Sequence, residues 1–219
     1  MRQSAIDLSS ECSTAERAAI KRAIETLHPG GRFLEVGTAA GGTLKEIIQT
    51  ADGAELGAAF YVLDPFTYYP RQLEKVHENL ENSGIDPARV TFWVGTTDNH
   101  HLQAVRAELE FDFIFIDGDH RAYPVMNDLR WMDRLTVGGV ACFHDYAARF
   151  PGVVWSLDHF LARNPEFEVV ERAETLVVIR RNGILARPVG ALALLHSKLM
   201  QTHFRLRRGV ARRLGREQT

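Results

Sequence analysis

Five short apolar runs, Phe33–Val36, Phe60–Leu63, Val90–Val94, Phe111–Ile116 and Val140–Phe143, alternate along the chain with segments of helical periodicity. Each run is bounded by turn residues and lacks polar alternation, so it reads as a strand covered on both faces. The intervening patterns, Gly42–Thr50, Arg71–Ser83, Asp98–Glu108 and Tyr123–Leu135, supply the covering helices. Regular alternation of this kind restricts the chain to a parallel sheet between two helical layers.

The flanks extend that pattern. Ser13-Thr14-Ala15-Glu16 has capping-box spacing and opens an amphipathic helix running to about Leu27, which His28-Pro-Gly-Gly31 stops. Beyond Pro151-Gly152 a helix over Val153–Asn164 precedes two strand-like runs, Phe167–Val170 and Leu176–Arg180, joined by a short link. The expected fold class is α/β: a Rossmann-like seven-stranded, mostly parallel sheet with helices on both faces. The expected organisation is an N-terminal helix over 1–30, the Rossmann-like domain over 31–182, and a basic amphipathic C-terminal tail over 183–219.

A chain of 219 residues suits one such domain with a sizeable core. Cys12 and Cys142 are too few for a disulfide framework, and the apolar run around Cys142 suits a buried reduced thiol. No stretch has signal-peptide character and none is apolar enough to span a bilayer, so a cytoplasmic protein is expected. Charge is unevenly placed. From Gly183 onward there are eight Lys or Arg and one acid, Glu217, a charge of +7 that leaves −9 for the rest of a chain of net −2.

Open parallel sheets bind ligands beyond the carboxyl ends of their strands, where strand order reverses. Every polar cluster here falls at such an end. Glu35-Val-Gly37-Thr38-Ala-Ala-Gly41-Gly42 follows the first run, with glycines that allow a tight turn and close approach of a ligand. Its spacing is not G-x-G-x-x-G, so the pyrophosphate fingerprint of dinucleotide enzymes is missing. Asp64 closes the second run and could accept both hydroxyl protons of a ribose, or simply form an Asp-Pro turn with Pro65. Gly95-Thr96-Thr97-Asp98 follows the third run, where an adenine could stack, or where Asp98 could cap the next helix.

Two further clusters, Asp112-Phe-Ile-Phe-Ile-Asp117-Gly-Asp119-His120 and Gly138-Gly139-Val-Ala-Cys-Phe-His144-Asp145-Tyr146, complete a series that resembles a family of S-adenosylmethionine-dependent methyltransferases. That family serves bacterial natural-product and cell-surface-sugar pathways and includes macrocin-type sugar O-methyltransferases. The resemblance runs from about Gly31 to Phe160. It implies that Glu35, Gly37, Thr38 and Gly41 cradle the methionine part of the cofactor, Asp64 the ribose, and Thr96, Thr97 and Asp98 the adenine. It also implies O-methylation of a sugar, glycoconjugate or small metabolite.

The last two clusters carry the chemistry. Adjacent parallel strands lie about 5 Å apart, so acids at their ends can share one ion. Asp117, His144 and Asp145 are the candidate ligands. Carboxylates suit Mg²⁺, and an imidazole shifts preference toward Mn²⁺ and similar ions. Such an ion would hold an acceptor hydroxyl and lower its pKa. Resembling enzymes carry two acids where this chain has His144-Asp145, and His144 could instead bond loop backbone at the site mouth. His120 is the candidate base, with Asp117 beside it, since neutral imidazole accepts a hydroxyl proton near pH 7. A role as helix cap or as partner of Asp119 stands beside that. Arg121, Tyr123 and Asp128 read as the start of an ordinary helix. Tyr146, Arg149 and Trp155 could wall a cleft, and the aromatics of Pro65–Pro70 suit either a lid or packing.

Ala191–Leu214 mixes leucines with arginines. It suits contact with an anionic membrane surface, packing on a second subunit in a homo-oligomer, or a solvated end. No nucleic-acid partner is expected, because the arginines are confined to the end of an acidic body. A dinucleotide oxidoreductase and a non-catalytic scaffold are the alternatives to methyl transfer, and fold alone does not choose among them.

Overall fold

The computed structural model describes residues 10–216, with side chains through residue 209. Strands β1 (Arg32–Val36), β2 (Ala59–Asp64), β3 (Val90–Val94), β4 (Phe111–Ile116) and β5 (Leu135–Phe143) run parallel. Strands β6 (Phe167–Ala173) and β7 (Leu176–Arg181) form a terminal hairpin whose second strand lies antiparallel to β5. The sheet order is β3-β2-β1-β4-β5-β7-β6, so strand order reverses between β1 and β4. The seven-stranded, mostly parallel sheet expected from the sequence is the one observed.

Two hydrophobic clusters flank the sheet, as the two-sided apolar runs require. Along β4, Phe113 and Phe115 belong to one cluster and Ile114 and Ile116 to the other, the period of two of a strand. Helices α1 (Thr14–Glu25) and α2 (Gly42–Gly53) cover the first face through Ile20, Ile24, Leu44 and Ile48. On the second face lie α4 (Thr97–Arg106), α5 (Ala122–Asp128) and α6 (Pro151–Leu161), with Trp131 and Phe160 fully or almost fully buried. Helix α3 (Gln72–Asn82) packs against α2 on the first face. Helix α7 (Ala191–Arg216) lies across α5 and α6. The capping box forms as its spacing predicts: Ser13 N donates to Glu16 Oε2 at 2.8 Å, and Ser13 Oγ accepts from Glu16 N. Cys12 and Cys142 are buried and free.

Two segments depart from the sequence pattern. The stretch read as one helix, Tyr123–Leu135, is helical only to Asp128 and continues as a 3-10 turn over Leu129–Asp133. Strand β5 then starts at Leu135 rather than Val140. The ladder register shifts there, and Gly138 at φ 89° and Gly139, pressed against Asp112 and Thr136, let the strand bulge around residues 136–139. The bulge breaks the apolar run and hid its first half.

Candidate active site at the switch point

The carboxyl ends of β1, β2, β3, β4 and β5 finish level with one another. Val36 pairs with Leu63 and Ile116, and Ile116 with Phe143. The next residue on each strand is still in the ladder: Gly37 N donates to Leu63 O, Asp117 N to Val36 O, and His144 N to Ile116 O. This alignment brings the glycine turn, Asp64, the 95–98 turn and both acidic clusters to one rim. A cavity of about 690 Å³ opens along it, lined by residues including Gly37, Asp64, Thr96, Asp98, Asp117 and His120.

The glycine turn is dictated by the protein's own packing. At Gly37, φ is 85° and an added Cβ would stand 2.4 Å from the Asp117 carbonyl oxygen. At Gly41, φ is 79° and a Cβ would press on Val76 of α3 at 3.0 Å. Asp64 is buried and braces the same turn. Its Oδ2 accepts from Thr38 N at 3.0 Å, and its Oδ1 from Phe66 N at 2.6 Å and Gln72 Nε2 at 3.2 Å. Gln72, which sequence reasoning passed over, also donates to Ala39 O and accepts from Tyr68 N. Nothing in its helical pattern separates it from a surface glutamine.

Beside the turn, a small cavity of about 40 Å³ is lined by Glu35, Gly37, Thr38 and Asp117. The Glu35 carboxyl and the Thr38 hydroxyl are buried there facing each other, and neither has a hydrogen-bond partner beyond the other among the described residues. Burial, with the nearby charges of Asp117 and Asp64, outweighs hydrogen bonding from Thr38 and pushes the Glu35 carboxyl up to about 8. Polar atoms left short of partners at this depth are costly unless a ligand or water meets them.

The 95–98 turn divides its expected residues. Helix α4 is capped from Thr96, whose N–H donates to Asn99 Oδ1, and not by Asp98. Asp98 is exposed at the rim, 3.1 Å from Arg130. Thr97 is buried, donating to Asp128 Oδ1 at 2.5 Å and accepting from Trp131 Nε1 at 2.9 Å. Asp128 itself lines the cavity, as do Arg121 and Tyr123, three residues the helical pattern assigned to an ordinary helix. Burial pushes the Asp128 carboxyl up to about 7.

The two imidazoles at the far side take different positions. His120 Nε2 lies 2.6 Å from Asp145 Oδ2, and its ring stacks on Phe150 at 4.2 Å between centroids. Asp145 leaves β5 at φ 58°, a left-handed conformation that non-glycine residues seldom adopt. Arg149 approaches its other oxygen at 3.2 Å. Hydrogen bonding to Asp145 raises the His120 pKa above the ordinary imidazole value. Burial works against the charge on Asp145, but His120, His144 and Arg149 together hold its carboxyl below the usual range. His144 is buried between layers: Nδ1 sits 3.2 Å from Asp117 Oδ1 and Nε2 3.4 Å from Glu16 Oε2. Burial opposes its charged form, yet hydrogen bonding to Asp117 outweighs this and pushes the ring up to about 11. Glu16 is fixed in turn by Ser13 N and by the backbone and hydroxyl of Thr175. Helix α1 therefore reaches the site through Glu16, which sequence reasoning saw only as a cap.

These placements add His120 to the candidate metal set. Asp117 and Asp145 come together as expected with His144, whose Nδ1 lies 3.2 Å from Asp117 Oδ1 and 3.7 Å from Asp145 Oδ2, and His120 joins them with a ligand atom within 4.8 Å of both acids. Both nitrogens of His144 are engaged by carboxylates. In the Pro65–Pro70 loop, Phe66 packs on the core and on Phe92, whereas Tyr68 is exposed and lines the cavity. Trp155 stacks on His159 and meets His196 of α7, and Tyr146 donates to Asp158.

Sheet order, glycine turn and cavity at the switch point define a Rossmann-like domain with a pocket of about 690 Å³ beside an Asp-His cluster. The chain belongs to the methyltransferase domain family, which matches it over residues 34–146, just over half its length. No curated protein matches it in sequence. Among solved structures it is similar to the O-methyltransferase NovP, at 19% identity and TM-score 0.62, covering 77% of this chain and 80% of NovP. It is also similar to CalS11, a TDP-rhamnose 3'-O-methyltransferase of calicheamicin biosynthesis, at 16% identity and TM-score 0.61 over 76% of this chain and 77% of that one. An O-methyltransferase from Bacillus cereus in complex with SAH aligns at 18% identity and TM-score 0.57, over 77% of this chain and 81% of that one. These likenesses establish the fold.

Proposed function

We propose that this protein is an S-adenosylmethionine-dependent O-methyltransferase acting on a hydroxyl of a sugar, glycoconjugate or related small metabolite. The observation that carries the reading is the His120–Asp145 pair at the mouth of the cavity that Gly37 and Asp64 line. The buried Glu35 and Thr38 oxygens support it, because beyond each other they lack the polar partner that the methionine part of the cofactor would bring. Bound S-adenosylmethionine would supply an electrophilic methyl group on a sulfonium centre.

The chain's own residues then have separable tasks. Thr38, held by Asp64, sets the glycine turn against which the cofactor lies. Thr96 and Asp98 border the outer cavity, where they would meet the adenine, and Thr97 acts from behind by holding Asp128 in place. His120 takes the acceptor hydroxyl proton at Nδ1, while Asp145 holds the ring through Nε2 and balances the charge that forms on it. Asp117, engaged by His144, holds the floor between the two halves.

A second reading rests on the donor grouping. One nitrogen and two carboxylates from His120, Asp117 and Asp145 are a chemically apt set for Mg²⁺ or Mn²⁺. In that case a divalent ion would lower the pKa of the acceptor hydroxyl, and His120 would ligate rather than accept a proton. Activity that survives EDTA selects the base; activity lost to EDTA and restored by Mn²⁺ selects the ion. Calorimetry tests the parent proposal: S-adenosylmethionine or its demethylated product should bind, and tight NAD(P) binding with no response to either would overturn it.

The leucines of α7 support a peripheral membrane contact for an otherwise cytoplasmic enzyme. Among the described residues no helix is long and apolar enough to cross a membrane. Leu192, Leu195, Leu199 and Leu206 are exposed on one side of a helix that carries no acid over Ala191–Arg216. An exposed apolar stripe on a basic helix suits insertion into an anionic membrane surface.

A further inference from the structure

A second cleft, of about 330 Å³, opens behind the active site between the His120 loop, the start of α6 and the outer half of α7. His120, Asp119 and Arg121 line both it and the main cavity, so the two spaces meet at the proposed base. Gly152 keeps them adjacent: a Cβ there would stand 2.4 Å from the His120 carbonyl oxygen, so α6 abuts the loop directly.

The chemistry of this cleft is one-sided. Four guanidinium groups line it, from Arg121, Arg149, Arg205 and Arg208, against the single carboxylate of Asp119. Asp119 is consumed by a forked pair with Arg121, and Arg149 is shared with Asp145. Arg205 and Arg208 make no ion pair or side-chain hydrogen bond among the described residues. They lie one turn apart on α7, with Gln201 and Phe204 completing an i, i+3, i+4, i+7 face. The leucine stripe at residues 192, 195, 199 and 206 occupies the opposite side of the same helix. Unpaired guanidinium groups held over a concave surface match phosphate in charge and in fork geometry.

We propose that the methyl acceptor carries a phosphoryl or pyrophosphoryl group, and that Arg205 and Arg208 with Arg149 bind it while the acceptor hydroxyl reaches His120. The proposal rests on the reading of the main cavity as the methyl-transfer site. It assigns the basic tail a place in substrate selection and makes a neutral sugar a poor substrate. The phosphoryl group can be borne by a soluble sugar ester or by a lipid.

The test uses the full chain saturated with the demethylated cofactor, S-adenosylhomocysteine, and inorganic pyrophosphate as the probe. Calorimetry should show pyrophosphate binding that weakens with salt. The double variant R205Q/R208Q should bind it at least tenfold more weakly, with unchanged S-adenosylhomocysteine affinity and an unchanged thermal melt. R205K/R208K, which keeps the charge, should recover part of the loss. No pyrophosphate binding to the wild type, or equal binding to R205Q/R208Q, overturns the proposal. Loss of S-adenosylhomocysteine binding by the wild type would instead overturn the methyltransferase reading. Vesicles containing phosphatidylglycerol separate the sources: displacement of bound protein by pyrophosphate supports a lipid-borne phosphoryl group, and binding of pyrophosphate without displacement supports a soluble ester.

Discussion

The two halves of the rim are built on different principles. On the β1–β2 side, Asp64 is satisfied by two backbone N–H groups and Gln72, and a Cβ would meet neighbouring backbone at Gly37 and the Val76 side chain at Gly41. On the β4–β5 side the contacts are between charged or titratable side chains: His120 with Asp145, Arg149 with Asp145, His144 with Asp117. The first half is a steric mould, and fixed backbone holds it. The second is an electrostatic network whose members can exchange partners when a substrate or ion enters. A cofactor that every reaction shares suits a mould, and an acceptor whose proton must move suits a network.

That contrast can be broken most directly at Gly37. Gly37→Ala introduces a Cβ against the Asp117 carbonyl at positive φ, which should cost about 2 kcal/mol or more and lower the melting temperature by roughly 5 °C or more. An unshifted melt would show that the mould is softer than its contacts imply. His120→Asn should lower kcat by roughly 10²- to 10⁴-fold with no change in cofactor affinity. If calorimetry showed cofactor binding lost in equal measure, the two halves would not be independent.

Smaller effects sharpen the comparison. Leu195→Glu with Leu199→Glu should reduce binding to anionic vesicles roughly tenfold and leave the melt unchanged, since both side chains are already in water. Asp128 sits where mould and network meet. Its folded-state carboxyl, raised to about 7 from 3.8, keeps a proton that the unfolded chain releases near pH 4. Its contribution is therefore intact below about pH 4 and declines as the pH rises toward 7. Asp128→Asn retains an oxygen for Thr97 and should flatten that slope, gaining about 1 kcal/mol at neutral pH. A stability profile between pH 4 and 7 identical to that of the wild type would place the raised carboxyl elsewhere.

Much of the mould was legible in the sequence. Positive-φ glycines at Gly37 and Gly41, an acid closing β2 and a capping box at Ser13 all announce themselves by residue type and spacing. The network was legible only as an inventory. Asp117, His120, His144 and Asp145 stood out, but spacing alone could not say which ring faced which carboxylate. The left-handed turn at Asp145 carries its carboxylate to His120, and Glu16 from a distant helix occupies His144. Gln72, Asp128 and the cleft beneath α7 carried no sequence signal.

The sequence by itself determined the layers, the strand ends where chemistry gathers and the backbone turns that hold them. Periodicity, glycine sterics and capping are local properties of the chain. Only the tertiary structure decided the pairing of charges and the return of α7 over α5 and α6, which sets Arg205 and Arg208 beside His120. Those contacts join segments far apart in the chain, and their geometry depends on strand register, side-chain rotamer and burial, none of which a linear pattern encodes.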